Sequence, residues 1–397
     1  MTKNRHIYLL QWLLCSILTV LCAACSSGDD AEENGTSGVS HKQAKLAIYV
    51  YAPEQASAKK HTAPTRANES EVDAITDEGT IDSLQIWIYE SATGNYVGYF
   101  STKDVTALNE GKGTTYQIPV SDDFASKTPK PTVNVYVLAN VTHDNCGVGT
   151  LNKETTRAQL LDSAKIEGHF GLGNLVKTVP TDGLPFAGML TGQTVVGDAP
   201  TLRVGTLNEV STVQLTRAVS KLRFVFAKTT GEAKVSITSI KINEQMIPEV
   251  EYLFKAPTSM TYNTTAAELL STTISDIAET DDPTKYIYID QEAQAYEDLI
   301  DAAANKQDPE KPEVTVYGPI YLRESDKQLT GTITYTIGEG TPEPQSVDFA
   351  MQQAGDFSRN HTWIVYAYYA GSGNLQVQSL FVKEWSTKEF NHELYNW

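Results

Sequence analysis

The chain has 397 residues, of which 41% are hydrophobic and 20% are charged, and its net charge is −18 at pH 7. So acidic a surface repels phosphate backbones, which excludes nucleic acid as an expected partner. The length exceeds what one small core can hold and suggests two domains.

The start of the chain has the pattern of a bacterial export signal. A basic beginning is followed by an apolar run over residues 8–21 and by small residues up to Ala24, directly before Cys25. The apolar run is shorter than the ~20 residues that a membrane-spanning helix needs. A thiol next to such a cleavage site is where lipoproteins receive their lipid, with acyl chains such as palmitate holding the protein on a bilayer. We therefore predict a lipoprotein signal peptide over residues 1–24 and lipidation of Cys25; a simple secretory signal is the alternative.

The next segment, residues 25–66, is predicted to be a propeptide with a removable strand. A polar tether is followed by Lys45-Leu-Ala-Ile-Tyr-Val-Tyr51, whose alternation is typical of a strand with Leu46, Ile48 and Val50 on one face. A polar linker with two prolines then leads to Arg66. No intrachain disulfide is expected in the mature chain, because Cys146 is the last cysteine left after signal removal and lipidation.

An arginine in an exposed linker is a suitable site for a trypsin-like protease, with Lys59 and Lys60 as lesser alternatives. A cut after Arg66 would leave residues 45–51 held to their domain only by non-covalent pairing. If that strand departs, it leaves an unpaired strand edge and an apolar groove, which can accept a strand from another chain.

Short alternating segments rich in β-branched and aromatic residues continue along the chain, separated by turn sequences. They lie at residues 84–89, 115–120, 133–138, 222–226, 235–242, 332–337, 363–368 and 375–382. Helical periodicity is limited mainly to residues 156–166 and 296–305, and Asp281-Asp-Pro283 and residues 306–312 are predicted to be loops. We predict two β-sandwiches in series, residues 67–210 and 211–397.

An ordered set of segments resembles the fimbrillins of Bacteroidales, the subunits of type V pili. The set covers nearly the whole chain: residues 63–67, 81–89, 135–140, 184–188, 213–222 and 358–365. With this resemblance the predicted fold class is all-β, with two consecutive transthyretin-like Greek-key β-sandwich domains and short helical connections.

The resemblance also implies a function. It implies a structural pilus subunit that is exported as a lipoprotein, held on the outer membrane through its lipid, and cut by an Arg-specific protease between Arg66 and Ala67. The subunit then polymerises with other fimbrial subunits by strand exchange. The resulting surface fimbrium would adhere to a host or bacterial surface receptor.

The strand donor in this family is the C-terminal segment. Here the candidate donor residues are Phe390, Leu394 and Trp397, and alternation places Phe390, His392 and Leu394 on one face. If the final tryptophan instead packs on its own domain, the subunit could not donate, which would fit a tip or terminal role. An anchor subunit would resist the cut and keep its lipid. A head-to-tail contact of this kind does not close on itself and gives a filament.

Enzymatic function is not expected. No metalloprotease, nucleophile-elbow or phosphate-loop motif is present, and His143, His169, His361 and His392 are scattered along the mature chain. The sequence predicts no metal site and no cofactor. The alternative from another class is a monomeric outer-membrane lipoprotein that binds glycans through aromatic side chains, but strand alternation makes most of the candidates core residues: Trp87, Trp363, Tyr366, Tyr368 and Tyr369.

Overall fold

A computed structural model describes most of the chain from residue 43 onward. The described residues are 43–52, 78–256, 259–287, 293–305, 312–351, 354–355 and 357–384. The predictions for Cys25, Arg66, Ala67, Phe390, Leu394 and Trp397 lie outside these residues. None of the helices in the described part of the chain is long and apolar enough to cross a membrane.

The first half of the described chain, residues 43–219, contains eleven strands and four short helices. The strands are β1 (Lys45–Tyr51), β2 (Leu84–Glu90), β3 (Tyr96–Thr102), β4 (Thr114–Pro119), β5 (Val133–Ala139), β6 (Lys165–Glu167), β7 (Phe186–Gln193), β8 (Val195–Asp198), β9 (Thr201–Val204), β10 (Thr212–Gln214) and β11 (Thr216–Arg217). The helices are α1 (Thr106–Asn109), α2 (Asp122–Ser126), α3 (His143–Cys146) and α4 (Arg157–Ser163). Capping boxes begin α3 at Thr142 and α4 at Thr156.

The second half, residues 220–384, contains the remaining strands. They are β12 (Ser220–Thr229), β13 (Val235–Ile242), β14 (Val250–Tyr252), β15 (Ala267–Glu268), β16 (Glu279–Thr280), β17 (Thr315–Leu322), β18 (Thr330–Ile337), β19 (Gln345–Ala350), β20 (His361–Tyr369) and β21 (Gln376–Glu384). A 3₁₀ turn (Pro283–Tyr286) and helix α5 (Ala293–Ala304) lie between β16 and β17.

Two five-stranded sheets build the first half. One has the order β10, β1, β9, β8, with β4 paired to the other edge of β1; the other has the order β11, β7, β5, β2, β3. Because β1 joins strands that come much later in the chain, it lies inside its sheet and not at an edge.

Two further sheets build the second half. One has the order β16, β12, β20, β21, with β17 also paired to β12, and the other has the order β15, β13, β18, β19. A two-stranded sheet of β6 and β14 connects the halves. In addition, the backbone N–H of Tyr321 donates to the carbonyl of Val176 over 2.8 Å, so the connection between the halves includes backbone pairing at two places.

Each half has its own apolar core. The first core includes Trp87, Phe124 and Phe186 and is completed by Leu253, Phe254 and Tyr321 from the second half, and the second core begins at Leu222 and includes Phe224 and Trp363. A third cluster on the outer face of β12 and β20 packs under the 3₁₀ turn and α5. The chain therefore passes from one core to the other between Val219 and Leu222.

The prediction of an all-β protein with short helical connections is confirmed. The Greek-key and transthyretin-like description and the junction near Val210 stay predictions. Asp281 and Asp282 lie in a loop, and Pro283 begins a 3₁₀ turn, in which the Asp282 carboxylate accepts from the backbone N–H of Thr284 over 2.9 Å. The predicted helix over 156–166 is α4, which is shorter because its last residues enter β6.

Candidate functional site

Strand β1 buries the three side chains that alternation placed on one face. Leu46, Ile48 and Val50 are all 0% exposed, and Ala44 and Ala52 extend this buried row at both ends. The opposite face is more open, since Lys45 is exposed and Tyr49 and Tyr51 are half-buried. Burial of one face fixes the register of the strand, because a shift by one residue would turn its apolar side chains toward solvent.

The backbone of β1 is paired on both sides. β4 runs antiparallel to it from Lys45 to Val50, while the other side is shared by β9, parallel at residues 45–47, and β10, parallel at residues 49–51. Beyond the strand itself, the Val120 N–H donates to the Ala44 carbonyl over 2.9 Å and the Leu215 N–H donates to the Tyr51 carbonyl over 2.8 Å. We call the space that β1 fills between β4, β9 and β10 the β1 slot.

The neighbours of β1 depend on it. Within the described part of the chain, β4 and β10 have β1 as their sole strand partner, whereas β9 also pairs with β8. Removing β1 would therefore leave both β4 and β10 with unpaired N–H and C=O groups, as at a sheet edge.

The inner wall of the β1 slot is apolar apart from one hydroxyl. Its buried side chains are Tyr116 and Ile118 on β4, Leu202 and Val204 on β9, and Val213 on β10. The Tyr116 hydroxyl is buried, and among the described residues it has no hydrogen-bond partner. Burial, with a smaller contribution from the Asp104 charge, raises the pKa of Tyr116 to about 12, so the hydroxyl stays protonated.

On the outer face of β1, two contacts involve a residue with a small side chain or none, Gly113 beside Tyr49 and Ala47 within β1 itself. The ring of Tyr49 lies against the backbone of Gly113, where an added Cβ would come within 2.0 Å of the tyrosine oxygen. Ala47, between Gln117 of β4 and Arg203 of β9, is 7% exposed. The outer face of β1 thus packs closely although it lies near solvent.

A buried polar cluster lies where the chain resumes after residues 53–77. The Glu78 carboxylate pairs with Lys221 at 3.2 Å and accepts from the Tyr321 hydroxyl, and the Arg217 Nε donates to the Glu78 carbonyl over 3.0 Å. Arg217 also donates from Nη1 to Asn360 Oδ1 over 3.2 Å. The segments 213–222 and 358–365, which the sequence identified only by resemblance, meet here around Glu78.

A second buried carboxylate lies at the β6–β14 connection. Glu251 is 3% exposed; its Oε1 lies 3.0 Å from Arg359 Nη2 and its Oε2 accepts from the Glu324 backbone N–H over 3.0 Å. Burial raises the pKa of Glu251 to about 8, although the Arg359 charge acts in the opposite direction. Sequence reasoning missed both Glu78 and Glu251, because single glutamates in an acidic chain look like solvated surface charge.

The aromatic residues that a glycan site would need are mostly core residues. Trp87, Trp363 and Tyr366 are all 0% exposed, and Trp87 donates from its indole nitrogen to the Asn152 carbonyl over 2.9 Å. Cys146 is also buried, and burial raises the pKa of its thiol. In the described residues no three histidine, cysteine or acidic side chains are grouped as a metal site would require.

A family model for the major fimbrial subunit protein (FimA) matches residues 44–217. Residues 44–217 of this chain are similar to the fimbrial subunits of that family. The match begins at Ala44, directly before β1, and ends with β11, so it covers the β1 slot and slightly less than half of the chain. The resemblance to fimbrial subunits stated from the sequence is confirmed over this part.

Several solved structures are similar to the chain at low identity. A putative cell adhesion protein from Parabacteroides distasonis ATCC 8503 is 14% identical, with 86% of this chain and 98% of that chain covered and a TM-score of 0.45. A fimbrial assembly protein from the same strain is 12% identical, with 86% and 96% covered and a TM-score of 0.43. The tip fimbrial protein Mfa3 from Porphyromonas gingivalis, with a C-terminal truncation, is 11% identical, with 86% and 99% covered and a TM-score of 0.42. No curated protein matches the sequence.

Proposed function

We propose that this protein is a structural subunit of a surface fimbrium that opens its β1 slot by proteolysis and fills it with a strand from a neighbouring subunit. In this proposal the chain leaves the cell as a lipoprotein, with Cys25 carrying the lipid that holds it on the outer membrane. An Arg-specific protease cuts between Arg66 and Ala67, and residues 25–66 depart with the lipid and with β1.

The position of β1 carries the proposal. β1 ends at Tyr51, and Arg66 lies in the stretch between Ala52 and Glu78, which is the one covalent link from β1 to the rest of the fold. A cut at Arg66 therefore leaves β1 bound by backbone pairing and side-chain burial alone. The remaining strands stay covalently continuous.

The free energy of burying the β1 side chains explains why an emptied slot would be filled again. Burying a Leu, Ile or Val side chain contributes about 1.5–3 kcal/mol, and three such side chains are fully buried in the slot. Without them, apolar wall residues such as Ile118 and Leu202 would face water, and β4 and β10 would lack partners. A strand from another chain restores both kinds of contact.

The proposal also assigns a donor segment to this subunit and a position to the subunit within the fibre. The predicted donor segment contains Phe390, Leu394 and Trp397, and a subunit that accepts at one end and donates at the other gives an open filament. A subunit that resists the cut would keep its lipid and act as an anchor, and one that cannot donate would act at a tip. The burial of Trp87 and Trp363 gives no support to the glycan-binding alternative.

Limited trypsin digestion of protein lacking residues 1–25 tests the proposal. We expect one dominant cut after Arg66, followed by loss of the fragment that carries β1 and by association of the opened subunits, measured by N-terminal mass mapping and size analysis. The Arg66→Ala variant should remain closed under the same conditions, while Lys59→Ala and Lys60→Ala serve as matched controls that are still cut at Arg66. Cleavage at Arg66 with permanent retention of the β1 fragment would contradict strand exchange.

A further inference from the structure

The outer face of β1 meets a glycine at the point where β4 begins. Tyr49 is half-buried on this face, and its ring lies against the backbone of Gly113, the residue directly before β4. In the pairing of the two strands Tyr49 lies opposite Thr115 and Val50 lies opposite Thr114, so Gly113 is the diagonal neighbour of Tyr49. An aromatic ring that covers a glycine on the neighbouring strand stabilises a sheet edge that would otherwise lack side-chain contacts.

The contact leaves no room for a side chain at residue 113. A Cβ atom built there would overlap the hydroxyl oxygen and Cζ of Tyr49, and it would lie 2.6 Å from Cε1. Because the overlap involves the rigid ring as well as the oxygen, any residue other than glycine requires the whole Tyr49 ring to turn away.

The backbone conformation does not require glycine at this position. Gly111, two residues earlier, has a φ of 68°, which favours glycine, whereas the φ of Gly113 is not positive. Glycine also loses more conformational freedom on folding than alanine does. The close approach of the Tyr49 ring is therefore what explains a glycine at residue 113.

We propose that Gly113 is a specificity residue of the β1 slot, where its missing side chain makes room for a tyrosine on the outer face of the strand that occupies the slot. This inference rests on the proposed function. The inner wall, which holds Leu46, Ile48 and Val50, distinguishes only weakly between strands of alternating apolar residues. Gly113 adds a second criterion: the slot selects an extended strand that carries a tyrosine directly after the middle one of its three buried side chains.

A competition between two peptides tests the inference. Residues 43–52 with the natural Tyr49, and the same peptide with Tyr49→Ala, are added in equal amounts to protein cut after Arg66. Native mass spectrometry then gives the ratio in which the two peptides are bound. We expect wild-type protein to bind the tyrosine peptide about fivefold more tightly, and we expect this preference to vanish in Gly113→Ala, where the ring can no longer lie on residue 113.

A matched control is Gly149→Ala, because a Cβ atom at residue 149 would meet no atom within 4 Å and the φ of Gly149 is not positive. This variant should keep the wild-type preference for the tyrosine peptide. An equal preference in wild-type and Gly113→Ala protein would overturn the inference, as would a wild-type protein that binds both peptides equally.

Urea unfolding of the uncut protein measures the same contact without strand exchange. Gly113→Ala should lower the urea midpoint when residue 49 is tyrosine. The same substitution should leave the midpoint unchanged or raise it in a Tyr49→Ala background, where the added methyl group has room. Additive effects of the two substitutions would mean that the two residues do not interact, and the inference would fail.

The peptide experiment separates failure of this inference from failure of the proposed function. If both peptides enter the cut protein without preference, selection at Gly113 is wrong while strand exchange stands. If neither peptide displaces the β1 fragment, the slot does not open and both proposals are overturned.

Discussion

Strands β1 and β12 begin the two halves of the protein and have similar neighbours but different attachments. β1 has antiparallel β4 on one side and parallel β9 and β10 on the other, while β12 has antiparallel β17 and parallel β16 on one side and parallel β20 on the other. β12 is joined closely to β11 before it and to β13 after it, whereas β1 is joined to the rest of the fold by the segment that contains Arg66.

The two strands also differ in how their outer faces are covered. On β12, Arg223 is buried and paired with Asp301, and Val225 and Ala227 belong to the cluster under α5. On β1, Lys45 is exposed and the tyrosines are half-buried. A similar degree of pairing is therefore found for a strand with short links to its neighbours in one half and for the strand that we propose to be replaceable in the other.

The largest expected effects come from truncating the buried face of each strand. Phe224→Ala in β12 should cost about 3–5 kcal/mol and Ile48→Ala in β1 about 2–5 kcal/mol in the uncut protein. After cleavage at Arg66 and exchange with a wild-type β1 peptide, the cost of Ile48→Ala should vanish because residue 48 leaves with its strand, while the cost of Phe224→Ala should persist. Hydrogen exchange of amides in β5 and β18 measures the two halves separately. If the loss of stability caused by Ile48→Ala persisted after the exchange, β1 and β12 would not differ in replaceability.

The next effect concerns the polar cluster that should stay in place when β1 leaves. Glu78→Gln removes the carboxylate charge that pairs with buried Lys221 and should lower the free energy of unfolding by roughly 3 kcal/mol, equally in cut and uncut protein. The control is Glu110→Gln, whose partner Lys112 is exposed, with an expected change below about 0.5 kcal/mol in urea unfolding. A Glu78→Gln effect limited to the uncut form would mean that the cluster belongs to the departing segment.

A pH dependence is expected at the connection between the halves, where the effect per pH unit is smaller than those of the substitutions above. The pKa of Glu251 is raised from 4.5 to about 8 in the folded protein, so between these values the unfolded chain is ionised and the folded chain holds the proton. The contribution of Glu251 to the free energy of unfolding is therefore largest below about pH 4.5. It decreases as the pH rises to about 8, with a limiting slope of about 1.4 kcal/mol per pH unit. Urea unfolding across this range should show the decline in wild-type protein and its loss in Glu251→Gln. An unchanged profile in the variant would assign the pH dependence to other groups.

Much of the strand content followed from the sequence, because alternation is strong where one face is buried. The boundaries of β13 were predicted to the residue, and the inward row of β1 was correct. β8 and β9 were not predicted, since four residues carry no readable period. Their pairing with β1 or with each other is decided by tertiary contacts between distant segments.

The site was predictable only in part for the same reason. The sequence showed that residues 45–51 form a strand with a buried face, but not that this strand lies between β4 and the pair β9 and β10. Nor did it single out Tyr116, because an unpartnered hydroxyl is a property of the packed wall and not of a residue pattern.

Uptake of an isotope-labelled β1 peptide tests the central claim most directly. Protein cut at Arg66 and uncut protein are each mixed with an excess of labelled residues 43–52, and native mass spectrometry follows the label. The account predicts that the cut protein exchanges its own β1 fragment for the labelled strand while the uncut protein remains unlabelled. Absence of label from the cut protein, with the original fragment retained, would contradict the claim that processing makes β1 replaceable.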